Sequence, residues 1–237
     1  MEALVIPAVV VIGILVIAYI LLRDKPKPHA RPHTPPKPDV QRQAIAPASS
    51  PRHDLSMLPE HFIVLDLETT GLNPERNEII EIGAIRVHRD SDHHEAFQAL
   101  VKPTKKVPQF ITEMTGISQA MVESEGDQLE VALADFVEFI QDLPLVTFNA
   151  QFDMGFLHYA AKRHGLVIKN RYTCALKLSR RAWPALPSYR LHDLAKMGKL
   201  SEEDTHRALS DCKRAMIVFT AAASEVGKKV KWTVPIC

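Results

Sequence analysis

The sequence predicts an α/β domain with a mixed, five-stranded sheet flanked by helices, preceded by an apolar segment and a proline-rich linker. Short apolar runs rich in β-branched residues alternate with segments of helical periodicity after residue 60. The first three runs follow one another as in a meander, and the later runs alternate with helices. Residues 3–22 are almost entirely apolar, and nine prolines lie between residues 24 and 59.

Composition limits the classes of protein to which the chain belongs. Its 237 residues are 46% hydrophobic and carry a net charge of +1, so no strong overall field attracts nucleic acid or membrane. Three cysteines without paired spacing argue against a disulfide framework and against a zinc site, and favour a reducing compartment. An anionic substrate would therefore be held by local groups or by a metal.

The first 23 residues are predicted to be a retained transmembrane anchor. About twenty apolar residues span about 30 Å as a helix, enough to cross the bilayer core. A cleaved signal peptide fits less well, because only Met1 and Glu2 precede the apolar run and no small-x-small site follows it. A buried soluble helix is the other alternative. The basic residues that follow, Arg23, Lys25, Lys27 and Arg31, place the N-terminus outside and the remainder in the cytoplasm.

Residues 24–59 form a linker and residues 60–237 the globular domain. The proline, histidine and serine content of the linker cannot build a core, so we expect an extended, semi-rigid tether. Period-two alternation or short buried runs predict five strands, at residues 61–67, 78–88, 96–102, 145–148 and 171–174. Helical spacing and breakers predict helices at residues 108–114, 129–140, 152–163, 191–196 and 207–226.

Asp66 and Glu68 end the first predicted strand, within the sequence FIVLDLETTGL. Side chains alternate between the faces of a strand, so both carboxylates project from the same face. Two carboxylates at the end of a buried strand repel each other and lose hydration, which a divalent cation relieves. A solvated pair in a turn is the alternative that this stretch alone leaves open.

Three more candidate residues lie near helix starts. Asp153 is in the first turn of a helix, close to the carboxyl end of a strand, where open α/β sheets bind ligands. A carboxylate favoured by the helix dipole is the alternative. Five residues span about 500° of a helix, so we expect Asp211 to face the sheet and His206 to lie at or before the helix start. The polar loop 201–205 would let His206 move over substrate, and an ordinary surface histidine is the alternative.

Together, these residues resemble the three motifs of the DEDDh 3′–5′ exonucleases in order and spacing. The matching stretches are Asp66-x-Glu68-Thr69-Thr70-Gly71, Asn149-Ala150-x-Phe152-Asp153 and His206-x-x-x-x-Asp211. This family includes the proofreading subunit of bacterial replicative DNA polymerase, ribonuclease T and exonuclease X. The resemblance covers residues 62–226, and excludes the anchor and the linker.

The resemblance implies a ribonuclease H-like fold and two Mg²⁺ or Mn²⁺ ions held by four carboxylates, those of Asp66, Glu68, Asp153 and Asp211. It implies that His206 is a general base that takes a proton from the attacking water, and that the product is a nucleoside 5′-monophosphate. It also implies that the residues contacting the 3′-terminal nucleotide are Thr69, Thr70, Leu72, Ile117, Asn149, Phe152 and His206. Hard divalent cations also suit four crowded carboxylates on physical grounds alone.

The resulting expectation is a metal-dependent exonuclease on single-stranded DNA 3′ ends, held in a bacterial inner membrane by one pass, with its catalytic domain in the cytoplasm. The same residues would serve RNA ends, because discrimination of the 2′-hydroxyl depends on pocket shape. A non-catalytic module that binds nucleic-acid ends is the alternative from another class. The presence of all five chemical residues argues against it. A polymerase proofreading subunit fits the anchor poorly.

Overall fold

The computed structural model describes residues 55–56, 58–197 and 206–229. The predicted anchor, nearly all of the linker and the loop 201–205 lie outside these residues. Within the described part of the chain, no helix combines the length and the apolar character that crossing a bilayer requires.

A five-stranded sheet forms the centre of the domain, as predicted. Its strands are β1 (His61–Thr69), β2 (Ile79–His88), β3 (Glu95–Leu100), β4 (Leu145–Thr147) and β5 (Tyr172–Cys174). Their order is β3-β2-β1-β4-β5. The first three strands form an antiparallel meander, whereas β4 and β5 run parallel to β1. The mixed sheet is therefore confirmed, with β1 in its middle.

Seven helices are present in the described residues. They are α1 (Gln109–Thr115), α2 (Gln119–Ser124), α3 (Leu129–Ile140), α4 (Ala150–Arg163), α5 (Ala175–Ala182), α6 (Leu191–Met197) and α7 (Ala208–Lys229). Two of these helices, α2 and α5, were not predicted from the sequence; they have six and eight residues. Length alone does not explain these omissions, because α1 and α6 have seven residues each and were predicted. The start of α2 is set by Ser118, whose hydroxyl caps it by accepting the Met121 N–H.

Helices cover both faces of the sheet. Ile63, Leu65 and Leu67 of β1 point into a core that includes residues of α3 and α4. Phe62 and Val64 point the other way, into a core that includes residues of α5 and α7. Because side chains alternate along a strand, Asp66 and Glu68 continue the row of Phe62 and Val64. The two carboxylates therefore lie on the face covered by α7.

Gly83 of β2 allows the start of α7 to approach the sheet closely. A Cβ atom at this position would lie 2.6 Å from the carbonyl carbon of Ala208 and 2.7 Å from the backbone nitrogen of Leu209. Gly83 is also the residue of β2 paired with Asp66 across the antiparallel ladder. The missing side chain thus brings the first turn of α7 next to the end of β1.

We expect Gly83→Ala to lower the free energy of unfolding by about 1–3 kcal/mol, because the added methyl group would overlap backbone atoms of α7. Gly155→Ala is the matched control. Gly155 lies inside α4, and a Cβ there meets nothing within 4 Å, so helix propensity predicts a gain of up to about 1 kcal/mol. Urea unfolding of both variants measures the difference. Equal stability of Gly83→Ala and the parent would contradict the close approach.

Candidate active site

Three carboxylates from two elements meet in one pocket. Asp66 and Glu68 come from β1, and Asp211 comes from the first turn of α7. Each offers one oxygen, and the three oxygens all lie within 4.8 Å of one another. Glu68 is 8% exposed and Asp211 is 9% exposed. The structure therefore brings together three of the four carboxylates proposed to bind metal.

The fourth carboxylate, Asp153, lies beside this group. It is in the first turn of α4 and is 2% exposed. Its carboxylate accepts hydrogen bonds from the Thr147 hydroxyl of β4 and from the backbone N–H of Leu67 in β1. After burial, the charge of Asp153 is the largest cause that raises the pKa of Asp66, ahead of Asp211. The charges of both Asp153 and Asp211 therefore act on Asp66.

Crowding and burial make the ionised pocket unfavourable without cations. Burial, with a further contribution from the charge of Asp211, raises the pKa of Glu68 to about 8. Burial raises the pKa of Asp153 to about 7, although hydrogen bonds from Thr147 and backbone N–H groups act to lower it. A set of buried carboxylate oxygens suits hard divalent cations such as Mg²⁺ and Mn²⁺. The residues present therefore fit a divalent metal site.

His206 lies at the edge of this pocket. One residue separates it from α7, since the helix begins at Ala208. Its side chain is 55% exposed, and its Nδ1 atom lies 3.7 Å from Oδ2 of Asp211. The position before the helix start agrees with the sequence analysis. The loop expected to carry its motion, residues 201–205, lies outside the described residues.

Arg214 contacts Asp211, and this contact was not predicted from the sequence. It lies one turn after Asp211, is buried, and donates from Nη1 to Oδ1 of Asp211 at 2.6 Å. The spacing of three residues on a helix is the signal that would have suggested the pair. The guanidinium of Arg214 therefore binds Oδ1 of Asp211, whereas the other carboxylate oxygen, Oδ2, faces His206.

Glu81 of β2 is a second residue that the sequence analysis did not identify as functional. It is fully buried and is the residue paired with Glu68 across the β1–β2 ladder. Its carboxylate accepts hydrogen bonds from the side chain of Arg207 and the backbone N–H of Ala208. The sequence did contain one signal of this role, because Glu81 is a carboxylate among isoleucines in a strand that is buried on both faces.

The threonines expected at the nucleotide site shape the loop after β1. Both are nearly buried. The Thr69 hydroxyl donates to the carbonyl of Gly71 at 2.6 Å, and the Thr70 hydroxyl accepts the N–H of Glu78 at 2.9 Å. Leu72, which follows them, is 85% exposed, so its side chain is accessible to a ligand.

The other three residues predicted to contact nucleotide are placed differently. Asn149 is exposed and immediately precedes α4. Phe152 is partly buried, with its ring centroid 5.0 Å from that of Phe156, so it also packs against the core. Ile117 is 0% exposed and belongs to a small core cluster with Ile111. The Ile117 side chain offers no surface in this structure, and its contact with a base stays a prediction.

We expect the metal-free domain to lose stability as pH rises from about 5 to about 8. The pKa values of Glu68 and Asp153 are raised from 4.5 and 3.8 to about 8 and about 7, so the native state holds more protons than the unfolded state in this range. Their contribution is fully present below the unfolded pKa values and is lost as pH rises through the folded ones. Melting temperatures in EDTA at several pH values measure it.

Excess Mg²⁺ serves as the control for this pH dependence. Mg²⁺ should raise the melting temperature most at about pH 8, where the carboxyl groups have lost their protons and the cation can take the place of those protons. The melting temperature should therefore depend less on pH with Mg²⁺ than in EDTA. Burial lowers the pKa of His94, so this histidine makes stability rise with pH, opposite to the effect of the carboxylates. Its effect on the melting temperature should be the same with and without metal. A metal-free melting temperature that is as high at about pH 8 as at about pH 5, once His94 is replaced by glutamine, would contradict the assignment.

Comparison with known proteins places the chain in a family. A sequence model described as an exonuclease family matches residues 63–219. The chain is 36% identical over 162 residues to a PolC-type DNA polymerase III from Caldanaerobacter subterraneus, with 68% of this chain and 11% of that protein covered. It therefore spans about a tenth of that relative. It is 32% identical over 172 residues to the DNA polymerase III subunit epsilon of Aquifex aeolicus, with 72% of this chain and 84% of that protein covered.

Solved structures share the fold. The zinc-bound complex of E. coli ExoI with ssDNA superimposes with a TM-score of 0.61 at 20% identity, covering 72% of this chain and 41% of that one. The ribonuclease H-like α/β fold is thus confirmed. From the match to the family and the likeness to the epsilon subunit, the chain belongs to the exonuclease family.

Proposed function

We propose that this chain is a metal-dependent 3′–5′ exonuclease that releases nucleoside 5′-monophosphates from the 3′ ends of single-stranded DNA. The observation that carries the proposal is the meeting of Asp66, Glu68 and Asp211 oxygens within 4.8 Å in a buried pocket. The 3′–5′ direction is supported by the resemblance of the three motifs. The preference for DNA is supported by the two relatives, which are both named as DNA polymerase III proteins.

In this proposal the four carboxylates hold two Mg²⁺ or Mn²⁺ ions. Such ions supply Lewis-acid stabilisation of the charge that develops on a phosphate, and they lower the pKa of water. Asp66 would serve both ions, because the charges of Asp153 and Asp211 both act on it. Glu68 and Asp211 would complete one site, and Asp153 would contribute to the other.

His206 is the proposed general base. Its Nδ1 atom faces Oδ2 of Asp211 at 3.7 Å, so the ring can direct its Nδ1–H toward that carboxylate. The other ring nitrogen, Nε2, is then left as a proton acceptor. A half-exposed ring at the edge of the pocket can take a proton from water near the carboxylates and pass it to solvent.

The loop after β1 is the proposed seat of the terminal nucleotide. Leu72 is exposed only four residues after Glu68, so it offers an apolar contact for a base close to the carboxylates. Thr69 and Thr70 fix this loop through their hydroxyl groups. By the resemblance of the motifs, Asn149 and Phe152 at the start of α4 would border the site.

We expect Asp66→Asn to lower the cleavage rate of a labelled single-stranded DNA oligonucleotide by about a thousandfold. Metal ions contribute several kcal/mol to such reactions, and each ~1.4 kcal/mol changes the rate tenfold. The metal-free variant should be at least as stable as the parent, because one crowded charge is removed. Rates are measured with Mg²⁺, with Mn²⁺ and with EDTA, on matched DNA and RNA ends.

Asp142→Asn is the matched control, since Asp142 is an exposed carboxylate in the loop before β4. Its rate should equal that of the parent. Retention of parental activity by folded Asp66→Asn protein would refute the site. If the parent enzyme cleaved the RNA ends faster than the DNA ends, the proposed metal site would still hold, but the proposed substrate would change from DNA to RNA.

We also propose that residues 1–23 anchor the enzyme in a bacterial inner membrane, with the catalytic domain on the cytoplasmic side. The support is the apolar run at residues 3–22 and the basic residues after it. The full chain should sediment with membranes and resist extraction at alkaline pH, whereas a chain that begins at Ser56 should remain in the supernatant. A full chain that is released by alkaline extraction would contradict the anchor.

A further inference from the structure

Glu81 has no place among the proposed metal ligands, although it is a fully buried carboxylate next to them. It lies near the start of β2, and its Cα atom is paired with that of Glu68. A buried charge is retained in a fold only when its partners satisfy it. The identity of those partners therefore indicates what Glu81 holds in place.

The partners of Glu81 connect two strands to the start of the last helix. Arg207 donates to the carboxylate through Nε, at 3.0 and 3.1 Å to the two oxygens, and through Nη2 at 2.5 Å. The backbone N–H of Ala208, the first residue of α7, donates to Oε2 at 2.9 Å. From the neighbouring strand β3, the side-chain amide of Gln98 donates to Oε1 at 2.9 Å. We call this arrangement the Glu81 clamp.

The Glu81 clamp fixes the backbone at Arg207, the residue that follows His206. Arg207 is the residue after His206, and its carbonyl accepts the N–H of Asp211 at 2.9 Å within the first turn of α7. Its side chain is held by the sheet and its carbonyl by the helix, so the peptide group that joins it to His206 has little freedom. His206 itself lies outside the helix and is half exposed.

Asp211 has supports of its own. Arg214 donates to its Oδ1 at 2.6 Å, and the neighbouring residues Cys212 and Ala215 are 0% exposed in the core between α7 and the sheet. Loss of the clamp should therefore displace His206 before it displaces Asp211. This difference separates an effect on proton transfer from an effect on metal binding.

We propose that Glu81 is a positioning residue, which holds His206 at the edge of the carboxylate pocket through Arg207 and Ala208. The inference rests on the proposed role of His206 as the general base. Removal of a buried ion pair as a whole often leaves stability nearly unchanged, whereas removal of one partner leaves an unpaired charge. The positional role can therefore be tested in a variant that removes both charges.

The test compares the parent enzyme, the double variant Glu81→Gln/Arg207→Met, His206→Ala and the triple variant. The carboxamide introduced by Glu81→Gln can still accept the Ala208 N–H, so the double variant loses the ion pair without leaving a buried charge. We expect its kcat on single-stranded DNA to fall by about 10- to 100-fold, because a misplaced catalytic group costs about that much. KM, and the Mn²⁺ affinity measured by calorimetry, should change by less than about threefold. In the His206→Ala background the same double change should lower kcat by less than about threefold.

Two variants keep the test decisive. Arg207→Lys retains the positive charge but loses the bidentate fork, and it replaces the double variant if that protein fails to fold. Glu95→Gln is the matched control, because Glu95 pairs with Arg86 at 3.2 Å across the same two strands, away from α7. Its kcat should equal that of the parent.

Two results would overturn the inference alone. One is an equal fall in kcat with and without His206, and the other is a loss of Mn²⁺ affinity that parallels the loss of kcat. If His206→Ala by itself leaves kcat unchanged, the proposed general base fails first and the positioning role fails with it. That outcome is distinct, because it appears before any change at Glu81.

Discussion

Mutual repulsion among buried carboxylates is the constraint on which this architecture depends. Two unit charges separated by 4.8 Å repel by about 3–4 kcal/mol at an effective dielectric constant of about 20, and the pocket holds several such pairs. Burial adds a desolvation cost to each ionised group. The fold must therefore hold these groups together by packing that does not involve them. The central position of β1, with helices on both faces, provides that packing.

Helix α7 and the residue before it reduce the repulsion without filling the pocket. Arg207 neutralises Glu81, the buried acidic residue outside the proposed ligand set, and Arg214 takes a single oxygen of Asp211. The remaining oxygens of Asp66, Glu68 and Asp211 lie close enough together that they could share a cation. Gly83 makes this possible, because only a residue without a side chain lets the helix come so near to the strand.

Most of the fold could be predicted from the sequence because its strands are buried and its longer helices are periodic. The predicted span of α3 was correct, and the strand boundaries differ by at most two residues. The carboxylates could be predicted because strand alternation and helix starts place them by local rules. The Glu81 clamp could not be predicted, since Glu81 and Arg207 are 126 residues apart and no local rule pairs them. The complete burial of Ile117 could not be predicted either, because a motif gives the type of a residue and not its exposure.

The division of the pocket between the first strand and the last helix affects how the protein is made. During translation, Asp66, Glu68 and Asp153 are synthesised well before His206 and Asp211. Domains fold as units during synthesis, and this one lacks a proposed metal ligand and its proposed base until α7 has emerged. A nascent chain that has not yet reached residue 211 would hold Asp66 and Glu68 without their partner from α7, so the proposed hydrolysis of DNA would begin only after that helix has been synthesised.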